Sequence, residues 1–135
     1  MSEDIDWQDR VATVDLEALE LQCAPLTKGA AIALASPALV GKSRRHLRSM
    51  GNTLKALVHI GHSGCTGAVA RSVDDALEQH ELVKIKVLDT CPQSMGTVAV
   101  WCHRVLDAQV AQWLGHTLLV YRARVTGPII QLPRS

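Results

Sequence analysis

The stretch from Leu57 to Leu88 constrains the fold of this chain more than any other part of the sequence. It opens with an apolar run of strand length, passes through a four-residue loop from Gly61 to Gly64, continues with helical periodicity and closes with a second strand-like run. This order predicts a strand, a tight loop, a helix and a strand, with the two strands joined by a crossover. The two glycines would let the loop backbone turn sharply and lie flat against a large ligand.

The loop Gly61-His62-Ser63-Gly64 leads directly into the predicted helix. Unpaired N–H groups and the helix dipole make such an N-terminus favourable for a phosphate group. The KH fold uses a Gly-x-x-Gly loop to clamp the backbone of RNA. An isolated Gly-x-x-Gly is most often an ordinary turn, so its interpretation depends on what surrounds the loop.

A cluster of positive charge lies before the loop and comprises Lys42, Arg44, Arg45, Arg48 and Lys55. With about 100° between successive residues of a helix, Arg44, Arg48 and Lys55 project from one side. Apolar residues occupy another side, which predicts a helix with one face in the core and one basic face. A basic face beside a phosphate-binding loop favours a polyanionic partner such as RNA, and an ordinary solvated helix is the alternative.

Hydrophobic periodicity predicts the remaining elements of an α/β fold. The predicted helices cover 42–54, 66–79 and 97–106, and the predicted strands cover 57–60, 82–88, 109–114 and 117–123. Two strand–helix–strand connections of the same hand would place the last two helices on one face of the sheet and leave the other face partly open. Alternation along the second strand directs Lys84 and Lys86 to that open face or its rim. Lysines that merely face solvent are the alternative.

Charge is divided unevenly along the chain, whose formal net charge is only +1. Residues 1–22 carry seven acidic residues and one arginine, whereas 36–135 carry twelve lysines and arginines and six acidic residues. Periodicity in 1–35 is weak apart from a short helix near 15–22, which predicts an acidic extension that is mobile or loosely docked. The domain proper is expected to cover 36–135. The extension could solubilise the chain or compete with a polyanion.

The residues give little support for other chemistry. His59, His62 and Cys65 lack a fourth metal ligand nearby, so a zinc site is not expected. A Cys65 nucleophile would need a positioned base, and a small buried thiol is the favoured interpretation. The chain has three Trp, one Tyr and no Phe, which argues against an RNA-recognition motif built on stacking aromatics.

We therefore expect no enzymatic activity, no cofactor or metal, no small-molecule substrate and no membrane association. We also expect a monomer. The start of the chain has neither a secretory signal nor an Arg-rich transit pattern, which favours the cytoplasm, with an organelle as the alternative.

Five segments, taken together and in order, resemble a known family. They read LVGKSRRHLRS at 39–49, VHIGHSG at 58–64, ALEQHELVKIKV at 76–87, LGHTLLVYR at 114–122 and IQLPR at 130–134. In these segments the chain is similar to the CRM domain, the YhbY-type family of RNA-binding proteins. The resemblance implies a small two-layer α/β domain with a four-stranded mixed sheet and three helices, similar to the C-terminal domain of bacterial initiation factor three.

By the same resemblance, the protein would bind RNA without catalysing a reaction. Bacterial single-domain members associate with precursors of the large ribosomal subunit, and plant organellar members promote intron splicing. A protein-interaction module that docks through Ile129, Ile130 and Leu132 is the alternative from a different class. The residues expected to contact RNA are Lys42, Arg44, Arg45, Arg48, Lys55, Gly61, His62, Ser63, Gly64, Lys84 and Lys86.

Overall fold

The computed structural model describes residues 5–133, and these residues form six helices and four strands. The helices are α1 (Trp7–Ala12), α2 (Leu16–Cys23), α3 (Lys28–Ala35), α4 (Gly41–Gly51), α5 (Gly67–His80) and α6 (Met95–Leu106). The strands are β1 (Ala56–Ile60), β2 (Leu82–Val87), β3 (Gln109–Leu114) and β4 (Thr117–Tyr121). Every element predicted between 42 and 123 is confirmed, with ends that differ by no more than a few residues.

The four strands form one mixed sheet in the order β1-β2-β4-β3. β1 pairs with β2 in parallel, and the connection between them is α5, as parallel strands require. The other two pairs are antiparallel, and β3 and β4 form the predicted hairpin, in which Gly115 adopts a φ of 58°. The predicted α/β class with a four-stranded mixed sheet is thus confirmed.

The main core lies between the sheet and the two helices α5 and α6. Side chains alternate along β2, so that Val83, Ile85 and Val87 enter this core while the residues between them face the opposite side. α6 is buried along almost its whole length, and Trp101 at its centre is fully buried. The predicted placement of these two helices on one face is therefore observed.

The opposite face of the sheet is only partly covered. α4 crosses it and places Leu47 in a second, smaller core with Leu82, Leu119 and Tyr121. Gly51 at the end of α4 permits a close approach, because a Cβ there would come within 2.7 Å of a Leu119 methyl carbon. The domain consequently has a partial third layer on the face that the sequence analysis leaves partly open.

Residues 5–35 contain more helix than the sequence analysis predicts. Asp6, Asp15 and Thr27 each cap the N-terminus of a helix by accepting hydrogen bonds from backbone N–H groups. Leu19 and Cys23 of α2 are buried and belong to the main core, as does Ala35 of α3. The helices pack there because α6 has apolar side chains that the sheet alone cannot cover. Between Trp7 and Ala35 the chain forms three helices that pack on the domain, and it is not a loosely docked arm. The domain boundary near residue 35 remains a prediction.

A buried carboxylate fastens the end of the chain to the domain. Glu81, which follows α5, is fully buried, and its carboxylate accepts hydrogen bonds from the backbone N–H groups of Arg124 (2.6 Å), Ile129 (2.8 Å) and Ile130 (2.7 Å). Burial raises the pKa of Glu81, but these donors and the charge of Arg124 outweigh it, and the net pKa lies below the ordinary value of 4.5. Residues 129–133 are thereby held along α4, where Ile130 and Leu132 pack against the smaller core and Ser43 donates to the carbonyl oxygen of Pro133.

Glu81→Gln is expected to lower the free energy of unfolding by about 1–3 kcal/mol at neutral pH, because the charge is lost and an NH₂ group would face a backbone donor. Since the folded-state pKa of Glu81 is depressed, its contribution is fully present above the unfolded pKa and is lost as the pH falls below about 4.5 through the folded value. Urea unfolding at several pH values measures both effects. Asp75→Asn, on an exposed carboxylate of α5, is the matched control. Equal stability of the two variants at pH 7 would contradict the role of Glu81.

Candidate nucleic-acid interface

The Gly-x-x-Gly loop is a tight turn whose two glycines play different roles. The N–H of Gly64 donates to the carbonyl oxygen of Gly61 across the turn at 2.9 Å. Gly64 is buried with a φ of 69°, and a Cβ there would lie 2.9 Å from Cγ of Pro92. Only glycine fits this position without strain. Gly61 is partly exposed and meets only ordinary van der Waals neighbours, so the tip, His62-Ser63, is the part of the loop that a ligand can reach.

The loop is supported from below by the segment that precedes α6. Gln93 accepts a hydrogen bond from the backbone N–H of Cys65 at 3.0 Å. The next residue, Ser94, donates its backbone N–H to the carboxylate of Glu20 in α2 at 2.9 Å. One short path of hydrogen bonds and backbone therefore links the N-terminal helices to the loop. Sequence reasoning missed Gln93, because a half-buried amide that accepts from a distant backbone N–H leaves no local pattern.

The first turn of α5, which follows the loop, is partly covered. Its N-cap is Thr66, whose hydroxyl oxygen accepts from the N–H of Val69 at 3.2 Å. Gly67 is buried against α1, since a Cβ there would lie 2.9 Å from Cδ of Gln8. The helix N-terminus is thus less accessible than the sequence suggests, and access for an anion is through the loop tip.

The cations predicted on α4 fall into two groups. Lys42, Arg45 and Arg48 are exposed and make no ion pair within residues 5–133. Arg44 instead donates at 2.9 Å to the carbonyl oxygen of Val110 and, from its other terminal nitrogen, at 2.9 Å to the hydroxyl of Ser36. Burial, and then the charge of Arg48, lower the pKa of Arg44.

Arg44 therefore acts as a structural tie between α4 and the edge strand β3. Helical angle alone places Arg44 beside Arg48. The sequence does not show that carbonyl oxygens of β3 lie within hydrogen-bonding distance of Arg44. A reversal of charge at Arg44 would disturb folding as well as any contact with RNA, so the exposed members of the cluster are the ones to test.

The two lysines of β2 lie on the face of the sheet that α4 only partly covers. Lys86 is exposed, and the strand register places it beside His59 of β1 and Thr117 of β4. Lys84 is half-buried and lies opposite Leu119, next to the end of α4. Sequence reasoning missed His59 as a neighbour of Lys86, although alternation along β1 could have indicated it.

The predicted residues are thus brought to one side of the molecule. The exposed face of α4, Lys55 in the segment that joins α4 to β1, and the two lysines of β2 belong to the same face of the sheet, and the loop tip projects at the end of β1. We call this surface the basic face. Its members are Lys42, Arg45, Arg48, Lys55, Lys84, Lys86 and the loop tip His62-Ser63.

The cysteine and histidine residues near the loop do not form a reactive centre in the described part of the chain. Cys65 is buried, and burial, followed by neighbouring thiols and Glu20, raises its pKa. Burial likewise raises the pKa of Cys102 to about 12. Across residues 5–133, no three His, Cys, Asp or Glu side chains are grouped so that they could hold a metal ion. In the same range, none of the helices is both long and apolar enough to span a membrane.

Comparison with known proteins places most of this chain in one family. Residues 39–122 match the family model described as the CRS1 / YhbY (CRM) domain. "Probable RNA-binding protein YqeI" of Bacillus subtilis (strain 168) is 30% identical over 95 residues, which cover 70% of this chain and 99% of that protein. A Haemophilus influenzae protein named "RNA-binding protein" is 31% identical over 94 residues, which cover 70% of this chain and 94% of that protein.

A solved structure agrees with the sequence comparison. The solution structure of a hypothetical Staphylococcus aureus protein, described as a candidate RNA-binding protein, matches with a TM-score of 0.56 and 26% identity. The match covers 70% of this chain and 99% of that protein, so the relatives have little length that could correspond to α1–α3. The matched residues include all four strands, the basic helix and the Gly-x-x-Gly loop. The chain belongs to the CRS1 / YhbY (CRM) domain family.

Proposed function

We propose that this protein binds RNA without catalysing a reaction, and that its RNA is that of precursors of the large ribosomal subunit. The observation that carries the proposal is the basic face, where exposed cations that make no ion pair within residues 5–133 share one face of the sheet and the tight glycine loop projects at the end of β1. Such a surface neutralises phosphates, which supply most of the affinity in RNA binding. The names of two relatives support RNA as the partner.

The loop and the cations would make different contacts with the RNA backbone. Lys42, Arg45 and Arg48 stand one to two helical turns apart on α4 and could follow consecutive phosphates of one strand. The loop tip would approach the backbone through its N–H groups, because His62-Ser63 carries no permanent charge. Neither part reads base identity, so this surface alone would give affinity with little sequence preference.

A protein-docking role through the C-terminal tail is less well supported. Ile130 and Leu132 already pack against the smaller core, and the backbone of Ile129 and Ile130 is engaged by Glu81. Of Ile129, Ile130 and Leu132, Ile129 alone is largely exposed, at 55%. The proposal that the RNA belongs to precursors of the large ribosomal subunit rests on the family resemblance. A role in intron splicing would use the same surface with a different RNA.

Neutralising two exposed cations of α4 should weaken binding and flatten its salt dependence. If about five phosphates are neutralised on single-stranded RNA, log K falls with log salt at a slope of about −3.5, and removing two contacts changes the slope to about −2.1. The variant is Arg45→Gln with Arg48→Gln, measured by fluorescence anisotropy over a salt series. The control is Arg71→Gln with Arg104→Gln, which removes the same charge from exposed positions on α5 and α6. Equal slopes for both variants would exclude the basic face.

A negative charge at the loop tip should weaken binding without affecting the fold. Ser63→Glu adds a charge at an exposed position and is expected to cost about 1 kcal/mol of binding, close to fivefold. Gln79→Glu, exposed on α5, makes the same change of charge away from the loop. A thermal melt of each variant checks stability. If Ser63→Glu bound RNA as tightly as Gln79→Glu, the loop would be only a turn.

The assembly role predicts where the protein sediments in a cell lysate. On a sucrose gradient the full chain should migrate with precursors of the large subunit, and nuclease or high salt should release it. Retention after nuclease, insensitive to salt, would indicate docking on a protein instead. A protein that stays at the top of the gradient in every condition would remove the large-subunit assignment and direct the search to other RNAs.

A further inference from the structure

An apolar pocket of about 310 Å³ opens beside the basic face. Its walls are Met50 and Leu54 at the end of α4, Leu57 of β1, and Ile129 and Ile130 of the C-terminal tail. The first four of these side chains are exposed by 37–56%, which is unusual for residues of this size gathered in one place. The pocket is therefore an apolar surface that the fold has built but does not fill.

The sheet register explains why the pocket exists. Pairing between β1 and β2 begins at Ala56 and Lys84, so Leu82 and Val83 extend beyond the start of β1. A register shift between Ala56 and Val58 leaves Leu57 outside the paired positions of β1 and β2, and its side chain is exposed. The opposite wall is held in place by Glu81, whose carboxylate binds the backbone of both isoleucines. Backbone features therefore position both walls of the pocket.

The rim of the pocket carries positive charge. Lys55 and Lys84 line it, neither makes an ion pair within residues 5–133, and no acidic side chain contributes to the lining. Both lysines belong to the basic face, and Lys84 also lines a smaller cavity on the open face, next to Thr117 and Leu119. An apolar interior with a cationic rim matches a ligand that has a flat apolar part flanked by negative charges.

The Trp and Tyr side chains, which are common platforms for RNA bases, are not available on this face of the described chain. Trp101 is fully buried, Tyr121 is buried beneath α4, Trp113 packs with the main core and Trp7 belongs to α1. A base that leaves its stack and enters the pocket would therefore meet aliphatic walls and the imidazole of His80, which also lines the pocket. Methionine adds a polarisable sulfur that makes favourable contacts with aromatic rings.

We propose that this pocket receives one unstacked base of the bound RNA, while Lys55 and Lys84 bind the phosphates on either side of it. The inference rests on the proposed RNA binding and extends it, because the pocket would supply base contacts that the basic face lacks. The strand would then run from the pocket along β2, past Lys86, toward the loop tip.

The test separates base contact from phosphate contact with full-length protein. The probes are oligoadenylate, oligouridylate and an abasic oligonucleotide of equal length that keeps every phosphate. The pocket variant is Leu57→Gln with Ile129→Gln, both at exposed side chains. The control is Leu21→Gln with Val125→Gln, at residues exposed by 81% and 101% elsewhere on the surface. Affinities are measured by anisotropy, and methyl NMR shifts report which side chains the probe touches.

The wild-type protein should bind at least one base-bearing probe about tenfold more tightly than the abasic one, and the pocket variant should lose that difference. The control variant should keep it, and methyl shifts should appear at Met50, Leu54 and Leu57. Equal affinity for abasic and base-bearing probes in the wild type would overturn the base pocket while leaving RNA binding intact. Absence of binding to every probe would overturn both.

A peptide is the competing occupant, since acidic and apolar residues in alternation would also match the pocket. A peptide of alternating Glu and Leu is therefore titrated in parallel. Methyl shifts at the pocket with this peptide, and none with the oligonucleotides, would assign the pocket to a protein partner and reject the base.

Discussion

The structure depends on the burial of α6 along almost its whole length. Trp101, Val98 and Cys102 leave almost no surface to water, and Gly96 approaches α2 so closely that a Cβ would lie 2.7 Å from the carbonyl oxygen of Cys23. A helix with so many buried apolar side chains must be covered on more than one side, and the sheet covers only one. The N-terminal helices supply further cover. These helices, α1–α3, lie outside the family match at 39–122.

That cover has a consequence for the loop. Glu20 of α2 holds Ser94 at the start of α6, and the neighbouring Gln93 holds the N–H of Cys65 just after the loop, while Gln8 of α1 lies against Gly67. The glycine turn is therefore supported by the same helices that complete the core. A turn fixed in this way loses less conformational entropy when it binds a ligand, which favours binding of a flexible strand. The N-terminal helices therefore help to fix the conformation of the loop.

Sequence reasoning succeeded where one local signal determined the outcome. Alternation in β2, helical periodicity in α5 and the Gly115 turn each contain their own pattern, so their positions were predicted closely. It failed where the outcome depends on distant neighbours. The short helix near 15–22 is predicted and is observed as α2, but the helix capped by Thr27 is not predicted, because a short helix depends on packing against the rest of the fold, here α6. The sequence does not distinguish Arg44 and Gln93 from surface residues, because the groups with which they form hydrogen bonds lie in other parts of the chain.

The sequence predicts an acidic extension that either solubilises the chain or competes with a polyanion for the basic face. α1 and α2 pack against α5 and α6, on the face of the sheet opposite to α4. Their described acidic residues therefore lie beyond the sheet and its layer of helices, as seen from the basic face. Because exposed charges farther apart than about 8 Å interact weakly at physiological salt, we expect these residues to compete little with RNA for Arg45 and Arg48. The net charge of +1 therefore hides a two-sided molecule, and the overall charge is a poor guide to how strongly its basic face attracts RNA.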